Sequence, residues 1–107
     1  MLILFDQGTP VGIRDSLHGH VVKTAQEQGW NRLLNGELLR EAEEAGFDVL
    51  LTTDKNLIYQ QNLTERKIAI VVLGRSRWSL IERVLDRVIA AVDAAKPGTY
   101  NLIEISD

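Results

Sequence analysis

A chain of 107 residues falls in the size range of one domain, and its 45% hydrophobic content suffices for a core that needs no disulfide or metal staple. It contains no cysteine, which excludes thiol catalysis, thiolate zinc sites and disulfides and agrees with a reducing compartment. The net charge of -3 argues against a general nucleic-acid coat, but not against an enzyme that gathers carboxylates around a metal.

In chain order, Leu2-Ile3-Leu4-Phe5 is a short continuous apolar run, as expected of a strand covered on both faces. It meets Asp6 without a basic flank or a small-residue cleavage site, so it reads as a strand and not as a signal peptide. No apolar run approaches the roughly 18 residues of a membrane helix, and a cytoplasmic protein is the default expectation. Thr9-Pro10 predicts a helix capped by Thr9, running to about Leu17 and ending near Gly19. Val21 to Thr24 suggests a second, weaker strand, and Ala25 to Gly29 a helical turn. Asn35 is the expected cap of a helix over Gly36 to Ala45, with Leu38, Leu39, Ala42 and Ala45 on its buried face and Gly46 as its stop. Phe47 to Thr52 and Ile68 to Leu73 read as the third and fourth strands. Ser79-Leu80-Ile81-Glu82 has the form of a capping box opening the longest helix, whose buried stripe is Ile81, Val84, Leu85, Val88, Val92 and Ala95. Lys96-Pro97-Gly98 ends it, and Tyr100 to Ile105 is the last strand.

This β-α alternation implies right-handed crossovers, a mostly parallel sheet and helices on both faces, within a single domain spanning residues 1–107. The first strand is expected between the second and third, and the last strand at an edge in either direction. In such sheets ligands bind beyond the carboxyl ends of the strands, near the switch in strand order.

Polar residues at that rim are the candidates for chemistry. Asp6 and Gln7 follow the first strand, Thr52 to Asn56 the third, and Gly74-Arg75-Ser76-Arg77-Trp78 the fourth, while Glu37 lies in the first turn of the Asn35 helix. Each has a plain structural alternative. An aspartate at a strand end accepts hydrogen bonds in turns and caps, and a glutamate in a first helical turn favours the helix dipole. Taken together, three clustered carboxylates repel one another unless a cation sits among them, and oxygen ligands suit Mg²⁺ or Mn²⁺. The two arginines can bind phosphate and the indole can stack a base, or the loop is solvated with Trp78 packed on the next helix. His18 and His20 read as turn residues at the opposite edge, Trp30 as core or groove wall, and Gln60-Gln61-Asn62 carries no nameable chemistry.

Leu4-Phe5-Asp6-Gln7 with Thr9-Pro10, Asn35-Gly36-Glu37-Leu38-Leu39, and Thr52-Thr53-Asp54-Lys55-Asn56-Leu57 resemble the motifs of a small PIN-like family. That group is described as a domain of unknown function or as predicted nucleases of toxin–antitoxin type. The likeness spans nearly the whole chain, including Asn31 to Leu34, the Arg77-Trp78 pair and the alanine-rich last helix. It implies a three-layer α/β/α sandwich in which acids at the sheet's carboxyl edge bind Mg²⁺ or Mn²⁺ and metal-activated water cleaves RNA. Asp6 and Asp54 match two of those acids, and the third place falls to Glu37, the better candidate, or to Asn35. Gln7, Asn35, Thr53, Asn56, Arg75, Arg77 and Trp78 are the candidate substrate contacts. The implied partners are single-stranded or structured RNA and a small antitoxin protein, with a homodimer as a candidate assembly and no membrane. The sequence departs from the pattern at Gly8, at Asn35 and at Asn56, where related chains often carry Asn, Asp and a second acid respectively. Intact Asp6 and Asp54 favour a metal-dependent ribonuclease, whereas the three departures favour a domain that binds RNA or a protein with a thinned site. A phosphoacceptor receiver-like reading of Asp54 fits less well, because Asp6 is followed by Gln7 and Lys96 precedes the last strand.

Overall fold

The computed structural model describes residues 1–57, 63 and 65–106, and of Asn35 the backbone alone. Gln60, Gln61 and Asn62 lie outside the described residues. Five strands, β1 (Leu2–Phe5), β2 (Val21–Thr24), β3 (Val49–Thr52), β4 (Ala69–Leu73) and β5 (Tyr100–Ile103), form one sheet in the order β2-β1-β3-β4-β5. Every pairing between neighbours is parallel, so β5 is a parallel edge strand. β1 lies between β2 and β3, as the alternation of elements predicts.

Burial explains why some strands are easier to read than others. β3 and β4 are buried along their whole length and appear in the sequence as unbroken apolar runs. β2, at the edge, alternates between exposed and half-buried residues and leaves Val21 58% exposed. Alternation along the strands divides the core in two. Ile3, Phe5, Leu51 and Val71 belong to a cluster with Ile13, Ile81, Val88 and Val92. Leu4, Leu50, Ile70 and Val72 belong to another, with Leu38, Leu39 and Ala42. Trp30, set edge-on against Phe47 with centroids 5.9 Å apart, is half-buried and packs on this second cluster.

The helical elements depart from expectation at their ends. The segment after Thr9-Pro10 is a 3₁₀ helix, Val11–Ser16, with Pro10 at the N-cap position. Thr9 is not the cap because its buried hydroxyl donates instead to the carbonyl of Leu51 (3.1 Å), tying the loop to β3. α1 (Asn35–Glu44) takes Asn35 as its first residue, with extended Leu34 preceding it, and Ala45 is exposed past its end. Gly46 does supply the left-handed turn that stops it (φ +87°). The long helix is broken into α2 (Trp78–Ile81), a 3₁₀ turn over Glu82–Val84, and α3 (Leu85–Asp93). Arg77, not Ser79, holds the N-cap position of α2. The expected stripe is buried at Ile81, Val88 and Val92, joined by Ala91, while Val84, Leu85 and Ala95 are half-covered. Among the described residues no helix is long and apolar enough to cross a membrane.

Candidate functional site at the carboxyl edge

The chain leaves β1 toward β2 on one side and then returns to β3 on the other, so the strand order reverses between β1 and β3. Their carboxyl ends therefore frame the crevice where open parallel sheets take ligands. Asp6 follows β1 and Asp54 lies just past β3, and the backbone locks the two loops together. The amide of Asp6 donates to Leu51 (2.9 Å) and that of Thr9 to Asp6 (3.1 Å). The turn requires a positive φ at Gly8 (+93°), and a side chain there would meet Thr53 Oγ1 at 3.6 Å.

Thr52 joins the two acids. It is fully buried, and its hydroxyl donates to Asp6 Oδ2 (2.8 Å) while accepting from the amide of Asp54 (3.1 Å). Asp6 Oδ1 accepts from the Gln7 amide (2.7 Å) and Asp54 Oδ1 from the Asn56 amide (2.9 Å). Both aspartates thus fill the turn-acceptor role open to any such residue, and this is also what aims them. Burial is the largest cause of an Asp6 pKa raised above its ordinary value. The negative charge of Asp54 adds to that rise, and the bonds from Thr52 and Gln7 oppose it.

The other candidates are placed as follows. Glu37 is exposed on α1 and lines a separate concavity with Leu34, Arg40 and Arg66. Three groups of the acid and histidine type do not gather to hold a metal ion anywhere among the described residues. Gln7 and Asn56 are exposed and Thr53 is half-buried at the crevice, whereas the side chain of Asn35 lies outside what is described. Arg77 is exposed beside the start of α2. Arg75 Nε donates to the carbonyl of Ile105 (3.2 Å), which anchors that guanidinium beside β5. Of its two expected settings, Trp78 takes the packed one and is half-buried. Its ring lies so close to Gly12 that a Cβ there would sit 3.0 Å from it, and the indole packs on the first core cluster. His20 is more than a turn residue, since Nε2 pairs with Asp93 Oδ1 (2.7 Å) and Nδ1 meets the Met1 amine (3.1 Å).

Sequence reasoning missed the bridging role of Thr52, which shows only as one more residue of the strand-end run. Nor did it single out Arg87, which lines a second concavity of this edge with Lys55, Arg75 and Glu104. Two carboxylates fit one hydrated Mg²⁺ or Mn²⁺, an ion that keeps several waters and needs only one or two protein acids. A cation there would offset the Asp54 charge, which adds to the burial that raises the Asp6 pKa. The fold and site thus define a parallel α/β protein with a coupled aspartate pair at its switch point. Comparison with protein-family models, with curated proteins and with solved structures gave no match.

Proposed function

We propose that the chain is a metal-dependent ribonuclease of PIN-like type with a three-layer α/β/α arrangement, acting as the toxin of a toxin–antitoxin pair. The observation that carries the reading is the hydroxyl of Thr52 shared between Asp6 and the Asp54 amide at the switch-point crevice. In this reading Asp6 and Asp54 hold a single Mg²⁺ or Mn²⁺, with Glu37 a more distant third acid. When bound, the ion polarises a phosphoryl oxygen and lowers the pKa of water. Thr52 holds one Asp6 oxygen in place, so Asp6 presents its remaining acceptor capacity to the crevice. Asp54, one oxygen of which is held by the Asn56 amide, would orient a nucleophilic water. Gln7, Thr53 and Asn56 line the strand path, Asn35 stands at the start of α1, and Arg77 meets phosphate.

The test is cleavage of single-stranded RNA by highly purified protein with and without Mn²⁺. Asp54→Asn should abolish divalent-dependent cleavage while RNA binding persists. If wild type and variant cleave alike, or neither cleaves, the nuclease reading is overturned. A second reading, a non-catalytic domain that binds RNA or a protein, is favoured by one observation: both acids already serve as turn acceptors within their own loops. It predicts RNA binding with no Mn²⁺-dependent cleavage to lose.

A further inference from the structure

Beyond the aspartate pair, the same edge of the sheet holds a concavity of about 510 Å³ between the ends of β4 and β5, lined by Lys55, Gly74, Arg75, Arg87 and Glu104 among others. Among the described residues three cations face one carboxylate there, in a chain whose net charge is -3. They come from three separate parts of the sequence: the loop after β3, the loop after β4, and α3. Arg75 is anchored through the Ile105 carbonyl. Lys55 and Arg87 are exposed, and neither forms an ion pair with a carboxylate among the described residues. The floor is made by close backbone approach. The amide of Gly74 donates to Ile103 (2.8 Å), and a Cβ on Gly74 would sit 2.9 Å from that carbonyl. Because that amide is already used, the recognition chemistry of the concavity lies in its side chains.

We infer that this basic concavity binds a backbone phosphate of single-stranded RNA, next to the aspartate pair, through Lys55, Arg75 and Arg87. The inference rests on the RNA reading above and extends it. Lys55 follows Asp54 directly, so the concavity continues the crevice along the sheet edge. At a strand spacing of about 4.8 Å, β1 and β5 stand roughly 14 Å apart, a span that a few nucleotides can cover. Guanidinium groups bind phosphate oxygens bidentately and an ammonium adds a point charge, while Glu104 opposes the ligand and limits its affinity.

The test measures binding of a labelled single-stranded oligouridylate to the full chain in chelator, across a salt series. Lys55→Ala and Arg87→Ala should each weaken binding roughly three- to tenfold and reduce the log–log salt slope by about 0.7, the value for one single-strand phosphate contact. Glu104→Gln should tighten binding, a gain that mere disturbance of the fold does not produce. Arg83→Ala, an exposed charge outside the concavity, should change nothing. The inference is overturned if Arg87→Ala and Lys55→Ala behave like Arg83→Ala, if Glu104→Gln weakens binding, or if anionic phospholipid vesicles are bound and RNA is not. Because no divalent ion is present, the outcome is separate from that of the cleavage assay. Retained cleavage with unaffected binding by Arg87→Ala sinks the phosphate site alone, whereas binding lost in these variants without Asp54-dependent cleavage sinks the nuclease alone.

Discussion

At the scale of single residues, the raised pKa of Asp6 gives the clearest measurable consequence. A carboxyl whose folded-state pKa exceeds its unfolded value makes the native state less stable once it ionises. The wild type should therefore hold its full stability, relative to a neutral substitute, below the ordinary aspartate range. That advantage should be lost as pH rises through the raised pKa. Asp6→Asn should accordingly be equally or more stable than wild type at pH 7, with the difference shrinking as pH falls toward about 4. Thermal melts of both proteins across that range, without divalent ions, read it directly. A variant much less stable than wild type at pH 7 would mean that the bonds to Thr52 and Gln7 matter more than the buried charge. The sequence exposes the two aspartates as strand-end acids. It does not expose their coupling, because the Thr52 hydroxyl reaches Asp6 only when β1 and β3 pair side by side.

At the scale of elements, two stretches of the same form behave differently. Thr24-Ala25-Gln26-Glu27 is a realised capping box: the Glu27 amide donates to Thr24 Oγ1 (3.0 Å), and the Thr24 amide donates back to Glu27 Oε1 (2.8 Å). That amide is the largest cause of the lowered Glu27 pKa, with Arg14 adding to it. Ser79-Leu80-Ile81-Glu82 has the same signature, yet α2 starts before it, at Trp78, whose ring is held against Gly12. A tertiary contact thus displaces a local preference. Trp78→Ala should cost roughly 2 kcal/mol of stability, below the 3–5 kcal/mol of a fully buried tryptophan because the ring is only half-covered. Arg77→Ala, with its side chain in solvent, should leave stability unchanged and weaken RNA binding instead. Urea unfolding of the two variants separates the roles, and a Trp78→Ala protein as stable as wild type would restore the indole as a candidate base platform.

At the scale of the whole molecule, the sheet order decides which loops become neighbours. Gly74 shows how tightly the β4–β5 end is built, with only hydrogen where a methyl group would meet the Ile103 carbonyl. Gly74→Ala should push β5 outward at a cost of about 1–3 kcal/mol, the range for overpacking a close contact. It should also weaken RNA binding with the concavity, while the aspartate pair two strands away keeps its geometry. Unchanged melting and binding in this variant would show that the edge strand yields freely.

Elements whose stability depends on hydrophobic pattern were legible in advance: the buried runs of β1, β3 and β4, the apolar face of α1 at Leu38, Leu39 and Ala42, and the glycine stop at Gly46. Those features depend on what lies within a few residues, and the alternation they create dictates a parallel sheet through the handedness of its crossovers. The tertiary structure alone decided that Thr52 links Asp6 to the Asp54 loop and that Glu37 stands apart beside Arg40 and Arg66. It also decided that Trp78 packs half-buried against the first core cluster, and that Lys55, Arg75 and Arg87 share one concavity. Each of these pairs residues far apart in sequence through side-chain direction and strand adjacency. A local pattern carries no record of either, because periodicity reports which face a residue occupies and not what it meets there.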